Sequence, residues 1–290
     1  MRGKRRHNPA MPDAAPLSDL AASVRRNDPD HFLCALFAPA DKREALFLLA
    51  AFQHELMRAR AATSTPMTGL IRLQWWREVV EGATAGTAPR QHEVALPLAL
   101  AIQAGTFAAD DLLAMVDARE AEMEEDVPGA EALGAFLRGA FGGHAVAAGR
   151  LLGAPSAAAA ALQATGAGYG MALLLRHVGS MAAQGRCLLP ADRLEEHALT
   201  PADVVRDPAQ PAVTLVARRL AEESLASLAE ARRALAGVLP RSARAAALPG
   251  RLAARDLKRV LAPAWSPIEV PPLRGLAYRW AVIWGGWRGV

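Results

Sequence analysis

The feature that most constrains the fold is a helical rhythm of apolar residues, repeated along nearly the whole chain and broken only at short polar or proline-bearing intervals. Ile71, Trp75 and Val79 recur at i, i+4 and i+8, and Leu46, Leu49, Ala50 and Leu56 share one side of a segment opening near Asp41. That spacing puts each set on one face of an α-helix and does not suit a strand, whose faces alternate every second residue. Helices are predicted from Asp41, read as an N-cap, to about Arg60, then Gly69–Glu81, Glu93–Gln103, Ala108–Glu125, Ala130–Leu152, Ser156–Met181, Pro211–Val238, Ser242–Leu261 and Leu273–Trp287. Asp126, Pro128 and Gly129 form a stop, and 182–198, with Gly185, Pro190 and mixed charge, reads as a loop with a short turn. Apolar residues make up 52% of the chain but aromatics only 5%. Much of the apolar share is alanine, the best helix former. Helices packed closely through small side chains follow, and a sheet, which draws on β-branched and aromatic residues, does not. No shift of composition marks a boundary, so 17–290 reads as one helical domain behind a charged, proline-rich and disordered tail over 1–16. Met1 and Met11 are both eligible starts.

Charge is spread unevenly. Residues 206–279 hold 13 Lys/Arg against 6 Asp/Glu, while Asp110–Glu131 is dominated by acids. A basic third suits a solvated helix face or an anionic membrane surface. No nucleic-acid motif accompanies it, so no nucleic-acid partner is expected. Asp117, Glu120 and Glu124 share one helix face and read as solvated acids paired with the basic C-terminal helices, because no second cluster faces them to complete a cation site. Cys34 and Cys187 lie in apolar surroundings and are expected to be buried, reduced thiols of a cytoplasmic protein. Prolines rather than an apolar stretch follow the basic start, so no secretory signal is expected. Val94–Ala109 falls short of the about 18 apolar residues a membrane span needs, and no segment is expected to cross a bilayer.

Smaller features have plain readings. No His/Cys group has zinc spacing. Gly166, Gly168 and Gly170 lack the preceding strand of a dinucleotide loop and read as permitting close helix packing around a cavity. His144 reads as a hydrogen-bonded core histidine. Of the pair Trp75 and Trp76, one ring belongs in the core and the other toward a cavity or neighbour. Trp280, Trp284 and Trp287 recur at i, i+4 and i+7 beside Arg279 and Arg288, as a core stripe or as a face for a membrane or partner.

Three segments, in order, carry a resemblance. The first is Asp30-His-Phe-Leu-Cys-Ala-Leu-Phe-Ala-Pro39 with Arg43-Glu-Ala-Leu-Phe-Leu-Leu-Ala-Ala-Phe52; the second is Ile71-Arg-Leu-Gln-Trp-Trp-Arg77; the third is Leu175-Arg-His-Val178 with Gly185-Arg-Cys-Leu-Leu-Pro190. They are similar to the opening helices, the Trp-rich helix and the Gly-Arg-x-Tyr-Leu-Pro segment of the squalene/phytoene synthase family, over roughly Asp28 to Thr200. The resemblance implies an all-α bundle of the isoprenoid synthase type with a central cavity. It also implies two Asp-rich motifs on facing helices, whose carboxylates share Mg²⁺ and help an allylic diphosphate leave as two prenyl diphosphates join head to head.

This sequence departs from the family there. Met57, Arg58 and Ala61 match the first motif, and His177 and Met181 the second. Arg176 matches the family's arginine before the second motif, His54 replaces an arginine of the first helix, and Leu188 replaces the tyrosine of the Leu-Pro segment. No catalytic residue, metal site or cofactor is therefore assigned, and Mg²⁺ enters only if a prenyltransferase reading holds. With Arg72-Leu-Gln-Trp-Trp-Arg77 retained and Phe52-Gln-His-Glu-Leu56 close to a Phe-Asn-x-Glu pattern, the chain is similar to the family branch of respiratory complex I assembly factors, which lacks the Asp-rich motifs.

Exchanging carboxylates for Arg and His reverses the field of such a site. Gln53, His54, Arg58, Trp75, Arg176, His177 and Arg186 are then the candidate pocket for a prenyl or lipid phosphate held by guanidinium groups without metal. The alternative is that these side chains pair with Glu55, Glu78 or other acids. Three functions stay open. One is a non-catalytic assembly factor for respiratory complex I, partnered by a complex I subunit or assembly intermediate. It would work at the cytoplasmic membrane face, with peripheral contact through Trp280, Trp284 and Trp287. The others are a prenyltransferase and a lipid- or isoprenoid-binding protein.

Overall fold

Capping chemistry sets the first elements of the computed structural model, which describes residues 17–61, 65–124, 126–269 and 275–288. Ser18 accepts from the Ala21 amide to open α1 (Asp19–Asn27), and Asp28 accepts from the His31 amide to open α2 (Pro29–Ala35), with Pro29 at the first turn. A 3-10 turn over Ala40–Lys42 then leads into α3 (Arg43–Ala61). Asp41 lies inside that turn and is not the cap; Pro39, with φ fixed at −51°, directs the chain in.

Thr65 caps α4 (Pro66–Thr84), followed by α5 (Ala95–Gln103) and α6 (Ala109–Arg119). α6 tightens into a 3-10 turn, Glu120–Met123, before the foreseen stop. α7 (Ala130–Leu137), a π-helical turn over Arg138–Gly142 and α8 (Gly143–Leu151) make one unbroken run, as the apolar rhythm predicted apart from the bulge.

α9 (Ala159–Arg176) is the core helix. It packs against α8 and the π turn on one side and against α13 (Pro211–Leu235) and α14 (Pro249–Val260) on another. A Cβ on Gly166 would lie 2.3 Å from the Phe141 carbonyl oxygen and 2.8 Å from Gly142 Cα. Glycine is what lets the backbones approach so closely, as expected of this glycine cluster. Together with a 3-10 turn, Ser156–Arg176 is long and apolar enough to cross a membrane, contrary to the expectation that no segment is, and 67% of its apolar window is buried inside the fold. Alanine and leucine give it the hydropathy of a span, and the surrounding helices take up its faces.

The predicted helix to Met181 breaks at His177, where φ −119° and ψ 14° leave helical geometry, and α10 (Val178–Ala182) follows. The expected loop contains α11 (Ala191–Glu195), and an unforeseen α12 (Pro201–Arg206) is set by a capping box between Thr200 and Asp203. Pro249 splits the expected Ser242–Leu261 helix into a 3-10 stretch, Arg241–Ala247, and α14. α15 (Leu276–Arg288) is the last element. The expected tail over 1–16 and helix start at Leu273 fall outside the described residues.

All regular structure among the described residues is helical. One apolar cluster draws on α1 and α3 to α6 with α8, the other on α7 and α9 to α14. Phe52 and Leu56 of α3 are fully buried in the first, each worth about 1.5–3 kcal/mol of burial. Met57 packs against the second, so α3 lies on the seam between them. Cys34 and Cys187 are both buried thiols, as expected; burial pushes the Cys187 thiol up to about 11.

Candidate functional site

Helical geometry separates the candidate residues of α3. Gln53 and Met57 lie four apart on the inner stripe, while His54 and Arg58 lie about 100° round on the next. Gln53 is 1% exposed and lines a small interior void with His31, Phe141, His144 and Tyr169. His54 and Arg58 line a crevice against α1, with Ser23, Asn27, Asp28 and Glu93. Arg58 donates to Glu55 at 3.0 Å from a side chain left 52% exposed. Ala61 ends the helix, and its side chain lies outside the described residues.

The second group disperses as well. Arg176 Nη1 donates to Asp256 Oδ1 at 3.2 Å, and Tyr278 Oη donates to the same oxygen at 2.6 Å, tying α9 and α15 to α14. His177 is half-buried, and Ser180 Oγ donates to its carbonyl at 2.9 Å. Met181 lines a narrow void with Arg186, Cys187, Leu188 and Val204. Gly185 takes φ +73°, a left-handed turn that aims Arg186 at the Glu122 carbonyl, 3.5 Å away. Burial lowers the Arg186 pKa, the Glu122 carboxylate opposes this, and the Arg60 charge adds to the lowering.

Trp76 is the core member of its pair, edge-on to Phe52. Trp75 faces His92 and the Arg90 guanidinium, 5.3 Å from its ring centre, beside a shallow hollow of α4. The seven residues of the candidate anion pocket thus do not line one cavity. The side chains alternate around each helix, and the arginines meet acids: Arg58 with Glu55, Arg176 with Asp256. Likewise Asp117 and Glu120 pair with Arg77 of α4, not with the basic C-terminal helices. These two hydrogen-bonded carboxylates raise the Arg77 pKa even against the lowering by burial.

What the seam does gather is a polar interior that the motifs did not single out. Arg119 is 1% exposed, donates to Glu122 at 2.7 Å, and lies over the rings of Phe141 and Phe136, 4.6 and 5.5 Å from their centres. His31 contacts Asp28 at 2.7 Å and its ring lies 4.4 Å from that of His144, tilted by 58°, while Tyr169 Oη donates to the buried Asp30 at 3.0 Å. The pKa of His144 is held well below its ordinary value, first by burial and then by the His31 charge, with Arg119 adding and Asp28 opposing. Burial raises the Asp28 carboxyl, but the charge and hydrogen bonds of His31 outweigh it and leave the pKa lowered. His144 Nδ1 and both polar atoms of Gln53 have no hydrogen-bond partner among the described residues. His144 is therefore buried as expected, yet one ring nitrogen is not satisfied. The spacing of Asp28 and His31, an N-cap and its third residue, is the local signal that leads to this cluster.

With this geometry in view, comparison with known proteins is specific. The squalene/phytoene synthase family model matches residues 24–272, and the chain belongs to that family. Its fold is similar to that of the squalene synthase HpnC from Alicyclobacillus acidocaldarius, with a TM-score of 0.71 at 20% identity over 83% of this chain and 91% of that one. A dehydrosqualene synthase crystallised with ligand gives a TM-score of 0.76 at 13% identity over 92% and 93%. A segment of 102 residues is also 32% identical to NADH dehydrogenase (ubiquinone) complex I, assembly factor 6 of Homo sapiens. The same protein of Bos taurus is 30% identical. The segment covers 35% of this chain and 30% of each relative.

The Mg²⁺ of the family chemistry asks for hard oxygen donors. Met57, Arg58, His177 and Met181 offer thioethers, a guanidinium and an imidazole instead. Among the described residues no group of three or more His, Cys, Asp or Glu side chains is placed to hold a metal ion. The residues at these positions do not fit the ion.

Proposed function

We propose that this member of the squalene/phytoene synthase family serves the assembly of respiratory complex I and does not itself condense prenyl diphosphates. The observation that carries the reading is the fate of Arg58, which matches the first motif, and of Arg176, the arginine just before the second. Arg58 turns outward to Glu55, Arg176 is tied to Asp256, and the seam between the core clusters holds the buried Arg119–Glu122 pair and the Phe141 ring. Nothing in that arrangement gathers oxygen ligands for a metal-bound diphosphate. The similarity to complex I assembly factor 6 over 102 residues supports the same reading. The partner is then a complex I subunit or assembly intermediate, met at the cytoplasmic membrane face. Trp280 and Trp284, exposed by 61% and 53%, supply a peripheral contact; the side chain of Trp287 lies outside the described residues.

A prenyltransferase reading has the fold similarity to squalene and dehydrosqualene synthases in its favour. The two part in one assay: purified protein with radiolabelled farnesyl and geranylgeranyl diphosphates and Mg²⁺. The assembly reading expects no head-to-head product above a protein-free control, and product formation overturns it.

A further inference from the structure

Thr165, 4% exposed in the middle of α9, lines two spaces. One is the interior void beside Gln53. The other is a cavity of about 570 Å³ between α9, α13 and α14, overhung by α15. Its floor is apolar, with Leu225, Leu228 and Ala229 of α13 facing Ala247, Gly250 and Ala254. Trp280 and Trp284 form one wall, and Arg232, Arg251, Arg255 and Lys258 stand around it. No acidic residue lines it among the described residues.

On these helices Arg219 is paired with Glu196 and Glu223, Arg259 with Glu269, and Arg218 donates to the Ala262 carbonyl. Arg232, Arg255 and Lys258 have no carboxylate partner among the described residues, and Arg255 lies over the Tyr278 ring at 5.9 Å. Burial and the neighbouring Arg232 charge lower the pKa of Arg251, so the two guanidiniums sit close enough to repel. A concave apolar floor with the cations Arg232, Arg255 and Lys258 at its edge and no acid in its described lining complements one kind of molecule.

We propose that this cavity binds a monomeric anionic amphiphile, a single hydrocarbon chain ending in a phosphate. The chain lies on Leu225, Leu228 and Ala254, and the head sits among Arg232, Arg251 and Lys258. Charge-assisted hydrogen bonds from guanidiniums are the strong, geometrically selective way to hold a phosphate. The volume falls within the roughly 300–1,000 Å³ of small-molecule sites. A bilayer surface would engage the exposed indoles but would not fill a space whose floor reaches a buried threonine of the core helix. The cavity contains none of the residues that match the family's motifs, and the inference stands whether or not the chain serves an assembly role.

The test is calorimetric titration of the full chain with dodecyl phosphate below its critical micelle concentration, against dodecyl maltoside, inorganic phosphate and phosphatidylglycerol vesicles. Saturable one-to-one binding of dodecyl phosphate is expected, at least about tenfold tighter than either single-feature probe. Arg232→Glu combined with Arg251→Glu weakens it about 100-fold, taking each charged contact as about tenfold. Ala229→Trp, at an exposed position, fills the groove with every cation in place and gives a loss of similar size; far-UV circular dichroism checks that each variant is folded. If the double charge reversal does not fold, Ala229→Trp decides. Equal binding of dodecyl maltoside or inorganic phosphate, or an Ala229→Trp variant that binds normally, overturns the proposal. So does binding to vesicles without binding to the monomer, which would leave the peripheral membrane contact standing and remove the pocket.

Discussion

Arg119 and Glu122 offer a sharp test of how the polar interior is held. The Arg119 side chain is 1% exposed, and its Nη1 donates to Glu122 Oε2 at 2.7 Å, while Nε and Nη2 have no hydrogen-bond partner among the described residues. Glu122 keeps 12% exposure. Glu122→Gln removes the countercharge and leaves a guanidinium in low dielectric with two phenyl faces, which costs about 3–5 kcal/mol. Arg119→Met keeps an unbranched side chain against Phe136 and Phe141 and removes the two orphaned donors. The remaining carboxylate can reach water at its exposed edge. That variant is expected within about 1.5 kcal/mol of the parent, or more stable. The assay is urea unfolding followed by circular dichroism. With a slope of about 3 kcal/mol/M, Glu122→Gln lowers the midpoint by about 1–1.7 M and Arg119→Met by less than about 0.5 M. Adding Arg119→Met to Glu122→Gln restores most of the loss. If Arg119→Met costs as much as Glu122→Gln, the pair stabilises the fold outright and the reasoning fails.

Three further outcomes follow from the same geometry. Because the folded pKa of His144 lies well below its unfolded value near 6.5, the unfolded chain alone takes up a proton as pH falls. Stability is unaffected above about pH 6.5 and drops below it by up to about 1.4 kcal/mol per pH unit until the folded value is reached. Asp28, also lowered, extends the loss below about 3.8. His144→Leu removes the slope between pH 6.5 and 5 in denaturation midpoints, and an unchanged slope refutes the assignment. Gly166→Ala drives a methyl into the backbone of the π turn and loses about 3 kcal/mol or more, read as a fall in Tm. Gly275→Ala, where an added Cβ meets nothing within 4 Å, is near neutral. Arg77→Ala releases Asp117 and Glu120, which are about half exposed, so it costs no more than about 1 kcal/mol and most of that difference disappears in 1 M salt.

The fold was readable where it rests on local rhythm. Ile71, Trp75 and Val79 announce α4, and Pro128 with Gly129 announces a stop, because each depends on neighbours within a turn or two. The three ordered segments around Phe52, Trp75 and Arg176 carried the family. Local spacing could not say that Trp76 rather than Trp75 enters the core, since adjacent rings lie about 100° apart on a helix and the choice belongs to the packing partner. The break at His177 depends on a distant partner: the His177 amide turns back to the Leu174 carbonyl, and the Gly179 amide donates to the Pro267 carbonyl at 3.1 Å. The candidate site was the least legible part. Arg176 meets Asp256 across 80 positions of chain, and Arg77 meets Glu120 across 43. Such pairs form through tertiary packing, which residue type and spacing do not encode. The capping box at Thr200 and Asp203 was present in the sequence and marks α12 by local chemistry alone.

The most direct measurement of the central claim is NADH:ubiquinone oxidoreductase activity in membranes of a strain deleted for this gene, with native gel analysis of the complex and complementation by the full chain. The assembly reading predicts loss of most activity, a subcomplex in place of the full enzyme, and restoration by the complementing gene. Full complex I at parental activity in the deletion strain would contradict it.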